Sequence, residues 1–354
     1  MSYLNQSGAL SPFEEVVPSS ARVTGLTRSS ILTQRRRTTT VPQGSTSAGP
    51  NQQINFLIAD AGGLIDMRSV VVNYFFQGPG SGACKDDGHV FNTVMMTLNG
   101  QQCDTVQNAM KVSNMEVKLG GSRQWYQSSG SFAGWELLNP ELNDNYATTV
   151  ITQATNPGWG AVLNNYNEVS NRQALAARTC TNGQAGMAYS VPLSLLTGMG
   201  RMVQYVPISV LGEIGITLIT GAAGEVIYNP AASSGTYTLT NISLSYDVVI
   251  PASPYLALLQ KIASDPNDAG LNLPFESTVC STAPSSTVSA GALTEASFIT
   301  SRATSNLLRS HAVFVPTANL QSLQYPSQSC FSHAGVWAYQ YRIGSLNNNM
   351  ILSY

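Results

Sequence analysis

This sequence has little charge. Asp, Glu, Lys and Arg make up 10% of its 354 residues, against about 25% in ordinary soluble domains. Gly, Ser, Thr, Asn and Gln fill the polar positions instead. Interface cores are depleted in Lys, Glu and Asp, so scarce charge predicts a subunit whose surface meets protein on many sides. A secreted β protein with a Ser/Thr-rich surface is the competing reading. The charges that remain nearly cancel, leaving a formal net of −2, so the folded body has no general basic field with which to gather phosphates.

Other absences narrow the field further. The five cysteines, Cys84, Cys103, Cys180, Cys280 and Cys330, are odd in number and share no CxxC spacing, which argues against a disulfide framework and against a zinc site. Assembly in a reducing compartment is the default expectation. The N-terminus has no basic segment followed by an apolar run, and no stretch of about 18 apolar residues occurs; neither export by a signal peptide nor a membrane span is expected. No HExxH, GxxxxGK[ST], GxSxG or helix-opening GxGxxG is present. His89, His311 and His333 are scattered, and none anchors a triad. The expectation is a protein that is not an enzyme and carries no cofactor and no metal.

Helical signals are few as well. Ser253, then Pro254 and YLALLQKIAS, supply an N-cap, a first-position proline and an apolar face, so one short amphipathic helix is predicted to end near Ser264. Strand signals dominate. INFLIAD (54–60) and SVVVNYFF (69–76) flank a glycine pair, and Asn99-Gly100 sits between apolar-periodic stretches as a hairpin turn requires. Further strands are predicted at 147–153, 186–192, 215–220 and 235–250. In the last, the alternation changes phase between Leu239 and Ile242, which predicts a β-bulge on a curved sheet. LTEASFIT and LLRSHAVFV after the helix imply a second β unit. The pattern is that of an all-β sandwich or jelly roll.

Residues 1–51 lack sustained periodicity and are rich in Ser, Thr, Gln, Gly and Pro, so they are read as an extended arm. Its triplet Arg35, Arg36, Arg37 is the candidate contact to genome or inner shell. Three phosphates would give a salt slope of roughly −2.7 on duplex DNA, so such a contact is weak and a protein contact is the stronger reading. In free subunits the triplet is then a site for proteases.

Several patterns invite a site and are read otherwise. Asp265, Asn267, Gly270 and Glu276 fall at calcium-loop positions, but Ala269 occupies the fifth and Pro274 breaks the loop, so the segment is taken as an inter-domain turn. Asn5-Gln-Ser7 and Asn241-Ile-Ser243 match the glycosylation triplet, and neither is expected to be modified. Trp125, Trp135, Trp159 and Trp337 are candidates for stacking on sugars, with core packing the plainer role. SVPLSLLTGM is too apolar for an exposed loop, whereas loops 120–134 and 156–171 are long enough to carry receptor contacts.

Five segments in order, GGLIDMRSVVVNYFF, VMMTLNGQQCDTVQNAM, YSVPLSLLTGMGRMVQYVPISVLGEIGITLIT, YTLTNISLSYDVVIPASPYLALL and WAYQYRIGS, resemble the double jelly-roll major capsid proteins of polinton-like and adinto-like viruses. That resemblance implies two jelly-roll β-sandwiches in tandem: an arm over 1–51, a first roll over 52–250, a linker with the helix over 251–270, and a second roll over 271–354. It further implies a homotrimer that looks like a hexagon and tiles an icosahedral shell. Its partners would be neighbouring capsomers, minor capsid or penton proteins and, weakly, the genome. After Ser345 the family pattern continues into a Tyr-Pro step and further strands, whereas this chain reads LNNNMILSY, so the second roll is expected to be short or incomplete. Two alternatives stay open: a single jelly-roll coat protein with a projecting domain, and a carbohydrate-binding β-sandwich.

Overall fold

The computed structural model describes residues 32–59, 63–78, 83–84, 89–122, 125, 129–130, 133–135, 187–228, 235–264, 271–282, 308–311, 340–345 and 348–353. The strands are β1 (Leu32–Thr40), β2 (Gln53–Ile58), β3 (Leu64–Gln77), β4 (Ala83–Cys84), β5 (Phe91–Leu98), β6 (Gln101–Gln107), β7 (Met187–Pro192), β8 (Tyr205–Pro207), β9 (Ile214–Thr220), β10 (Ile227–Tyr228), β11 (Thr238–Pro251), β12 (Gln340–Ser345) and β13 (Asn348–Ser353). The helices are α1 (Ala109–Gly120), α2 (Gly198–Met202), α3 (Ile208–Leu211), α4 (Ala223–Val226) and α5 (Ser253–Ser264), with a 3-10 turn at Leu193–Leu195. The expected strands at 147–153 and in LTEASFIT lie outside the described residues. So does most of the expected second roll, apart from residues 271–282 and 308–311 and the β12–β13 hairpin.

Two antiparallel sheets build the sandwich. One runs β1-β11-β3-β7, with the short β8 also on β3, and the other runs β2-β9-β5-β6. Numbering only the strands of these two four-strand paths from first to eighth, the orders are 1-8-3-6 and 2-7-4-5. Strands 4 and 5 form a hairpin, and 3 with 6, 2 with 7 and 1 with 8 pair antiparallel outside it. This is one long folded ribbon wrapped into two facing sheets, the eight-strand jelly roll.

The ribbon turns at Asn99-Gly100, where both residues adopt positive φ (48° and 76°). A two-residue turn of that kind matches the right-handed twist of its strands, and Asn-Gly adopts it at least cost. Along the ribbon the alternation is plain. β9 buries Ile214, Ile216 and Leu218, β2 buries Ile54, Phe56 and Ile58, and their partners across the gap are Val72, Tyr74, Phe76, Leu244, Tyr246 and Val248. The aromatic members touch: Tyr74 stacks on Tyr189 with centroids 5.6 Å apart, and Phe76 stacks on Tyr237 at 5.5 Å.

The β11 phase change is as the sequence predicts. Asn241 adopts φ 52°, the register with β3 slips between Thr240 and Ser243, and burial resumes at Ile242. The predicted helix is α5, which packs Leu259 against Leu64 and Val249.

The arm is where sequence and structure part. Residues 32–40 form β1, paired along β11 from Leu32↔Pro251 to Thr40↔Leu244, and the following segment stays attached, with Ala48 buried and bridged to Leu239. The end of the expected arm is thus the edge strand of the first sheet, which without β1 would lack one of its strands. LTQRRRTTT has no apolar alternation to reveal a strand, because it lies at the edge of its sheet and is held by backbone bonds and charge rather than by burial. Charged edge strands are also a common guard against unwanted strand pairing.

The segment SVPLSLLTGM is framework, with Leu193, Leu196 and Met199 in the main core. Leu196→Asp is expected to abolish soluble folded protein, read by circular dichroism and gel filtration. An unpaired buried carboxylate costs several kcal/mol against a typical stability of about 5–15.

Candidate assembly surface and buried polar sites

The Arg triplet is divided between the two faces of β1, as strand alternation requires. Arg37 stands directly opposite Asp247 and Arg35 opposite Val249. The Arg35 guanidinium donates to Asp247 Oδ2 through Nε at 2.8 Å and to Asp66 Oδ2 through Nη2 at 2.9 Å. Arg37 Nη1 donates to Asp247 Oδ1 at 3.0 Å and to the Ser69 carbonyl at 3.2 Å. Two arginines of β1 thus grip one carboxylate of β11 and one of β3, while Arg36 points to the opposite face.

The grip closes on an irregularity. Between Asp247↔Asp66 and Ser245↔Val71 the register takes two steps along β11 against five along β3, so β3 bulges over 67–70. Ser69 Oγ donates to the Asp66 carbonyl and accepts from Asp247 N–H, and Asp66 Oδ1 accepts from Arg68 N–H. The bulge is therefore fixed by side chains from all three strands. Beside it, Thr39 and Ser245 share a hydrogen bond, Asn73 donates to Ser245, and Ser190 donates to Asn73. A row of uncharged polar groups thus runs across β1, β11, β3 and β7 on the outward face.

The two carboxylates differ. Burial raises the Asp247 pKa, but hydrogen bonds from Arg35 and Arg37 outweigh it and hold the group below its usual value. Asp66 lies deeper, and its burial outweighs the Arg35 charge and the Arg68 N–H, so its pKa is raised. The hydrogen bond to Asp247 raises the Arg35 pKa in turn.

A second polar site is fully enclosed. His89 and Ser113 are each almost completely buried, with His89 Nε2 2.7 Å from Ser113 Oγ. The pair has the spacing of a base and a nucleophile, but its proton positions are wrong for that work. His89 Nδ1 accepts from Phe91 N–H at 3.1 Å, so the neutral ring carries its proton on Nε2 and donates it to Ser113. Ser113 in turn donates to the Ala109 carbonyl. A general base needs a free lone pair on the ring nitrogen facing the serine and an orienting acceptor behind it, and neither condition is met. The ring also meets Trp135 edge-on at 5.6 Å. Burial lowers the His89 pKa to about 3, and the site ties α1 to the start of β5.

The remaining sequence candidates are dispersed. Among the described residues no cluster of three or more His, Cys, Asp or Glu could hold a metal ion. Asp265, Asn267 and Gly270 lie outside the described residues, as do His333, Trp159, Trp337 and loop 156–171. Glu276 meets Arg309 at 3.7 Å, and His311 is exposed and not in a strand. Trp135 is buried with Val117 and Ala133, with Trp125 packed beside it, so these two form core rather than a sugar-stacking platform. Cys103 and Cys280 are free thiols. Among the described residues no helix is long and apolar enough to cross a membrane.

No family model matches the sequence, and no curated protein matches it. Solved viral structures do. The VP54 protein of PBCV-1, fitted into a reconstruction of the virophage Sputnik, is 12% identical over 65% of this chain and 45% of its own, with a TM-score of 0.33. A quasi-atomic model of the PBCV-1 capsid is 12% identical over 64% and 45%, with a TM-score of 0.34. The Sputnik virophage structure is 12% identical over 66% and 50%, with a TM-score of 0.39. The chain spans about half the length of the solved chains it matches.

Asp247→Asn is expected to lower stability by about 1–2 kcal/mol, discounted for half-exposed arginines, whereas Asp66→Asn should cost less than about 0.5 because it also relieves burial of charge. Denaturant melts at pH 7 measure both. Since folding lowers the Asp247 pKa, its contribution is present above the usual 3.8 and lost as pH falls through the folded value.

His89 obeys the same sign. Its folded pKa of about 3 lies under the usual 6.5, so stability is full above about pH 6.5 and declines on acidification towards pH 3, with a limiting slope of about 1.4 kcal/mol per pH unit. His89→Gln should flatten the stability profile between those limits.

Proposed function

We propose that this chain is a structural coat subunit that trimerises into pseudo-hexagonal capsomers of an icosahedral virus shell, in the manner of double jelly-roll capsid proteins. The observation that carries the reading is the strand order 1-8-3-6 facing 2-7-4-5, a complete jelly roll closed by residue 251, on a chain with only 10% charged residues. A lone soluble domain keeps more charge in contact with water, whereas a subunit enclosed by copies of itself replaces charge with Ser, Thr and Asn. The row Thr39, Ser245, Asn73, Ser190 is of that kind.

On this reading the residues after the first roll supply the second β unit, of which β12 and β13 are two strands. Arg35 and Arg37 are engaged in the β1 clamp, and any contact with genome or inner shell then falls to Arg36 and the chain before β1. Self-association, neighbouring capsomers and minor capsid or penton proteins are the partners, and the virion is the location.

The purified protein should scatter light as a trimer at micromolar concentration and show pseudo-hexagonal outlines in negative stain. A monodisperse monomer would overturn the reading. Trimers whose subunits carry one sandwich and a projecting knob would favour the single-roll coat, and specific signals on a glycan array without self-assembly would favour a carbohydrate-binding module.

A further inference from the structure

Residues 271–282 follow the first roll without regular structure, yet they are held to it at each end and in the middle. Leu271 packs on the α5 cluster, and Leu273 and Phe275 pack against the main core between the sheets. Ser277 Oγ donates to Asp104 Oδ1 at 2.8 Å. The Cys280 thiol, its pKa raised by burial, meets the Asn108 side chain beyond the end of β6. Ser277 at Asp104 and Cys280 at Asn108 mean that the segment follows β6 in parallel.

β6 ends the second sheet, and an edge strand normally lies open to water. Asp104 is nevertheless only 2% exposed. Its carboxylate faces inward, on the same side of β6 as the core residue Val106, and is satisfied by Met199 N–H at 3.2 Å together with Ser277. The segment also meets α2 closely: Glu276 N–H lies 3.2 Å from the Met202 side-chain Sδ, and a Cβ placed on Gly198 would collide with the Glu276 carbonyl. Gly198 lies in α2, where alanine is otherwise favoured over glycine. Room for the segment is a sufficient reason for glycine there.

We propose that residues 271–282 are a side plug: they close the apolar gap between the two sheets along β6, and their release opens that gap and the β6 edge to association with further copies of the chain. Bound, the plug places a buried carboxylate between two donors and covers an edge that would otherwise invite strand addition. Released, it leaves Asp104 with one donor and bares the core surface under Leu273 and Phe275.

The test uses the full chain. Gly198→Ala adds a methyl group that the helix accepts and the plug does not, while Ser277→Ala removes one hydrogen bond and adds no bulk. Hydrogen exchange should accelerate about tenfold in 271–282 and in Gln101–Gln107, with Leu32–Thr40 and Gln53–Ile58 unchanged. Binding of a hydrophobic dye should increase, and light scattering should report species larger than those of the parent protein. If exchange accelerates in 271–282 but not in β6, or in neither, the segment is passive covering and the proposal fails. Should Gly198→Ala not fold, Ser277→Ala decides the matter from the same amides. Global acceleration that includes β1 and β2 in Ser277→Ala would also overturn the proposal, because it would make the segment part of the cooperative core.

Discussion

Strand β11 must bury five side chains on one face and hold a strand on each side. Leu239, Ile242, Leu244, Tyr246 and Val248 all point into the core, although a plain strand would bring only residues of one parity to that face. The left-handed Asn241 resolves the conflict by inserting one residue, which turns the strand without breaking it. With β11 in register, β3 and β1 can pair along it, and the wrapped ribbon closes. The bulge in β3 and the arginine clamp sit farther along the same strand, where Asp247 is the meeting point.

The apolar core and the outward polar face are thus separated in space. The gap between the sheets is apolar and aromatic, and two of the polar groups sunk into it are satisfied at fixed points: His89 by Phe91 and Ser113, and Asp104 by Met199 and Ser277. Each such group fastens a connection to the sheets, His89 holding α1 and Asp104 holding α2 and the plug. The outward face of the first sheet carries short polar side chains linked across four strands. Long charged side chains lose more conformational freedom when covered than serine or threonine does, so a face of this composition is less costly to bury against a neighbour.

Much of this was legible in the sequence because its causes are local. The Asn99-Gly100 turn, the phase change in β11, the helix opened by Ser253 and Pro254, and the core placement of Leu193 and Leu196 each follow from a few adjacent residues. The Arg triplet reads in the sequence as part of an extended arm, a weak contact for nucleic acid and a stronger one for protein; the structure sets Arg35 against Asp66 and Asp247, 31 and 212 residues away in the chain, and Arg37 against Asp247, 210 away.

The sequence by itself determined the class of fold, the positions of most first-roll strands and the direction each side chain faces, since alternation with a period of two is written into the order of residues. Tertiary structure alone decided which strands became neighbours. β1 has no apolar pattern and exists as a strand only because β11 offers it an edge and Asp247 and Asp66 offer it charge. His89 has a defined tautomer only because Phe91 and Ser113 close around it, and Asp104 is satisfied in its buried place by Met199 and Ser277, which arrive from other parts of the chain. These features depend on contacts between residues distant in sequence, which no window of adjacent residues contains.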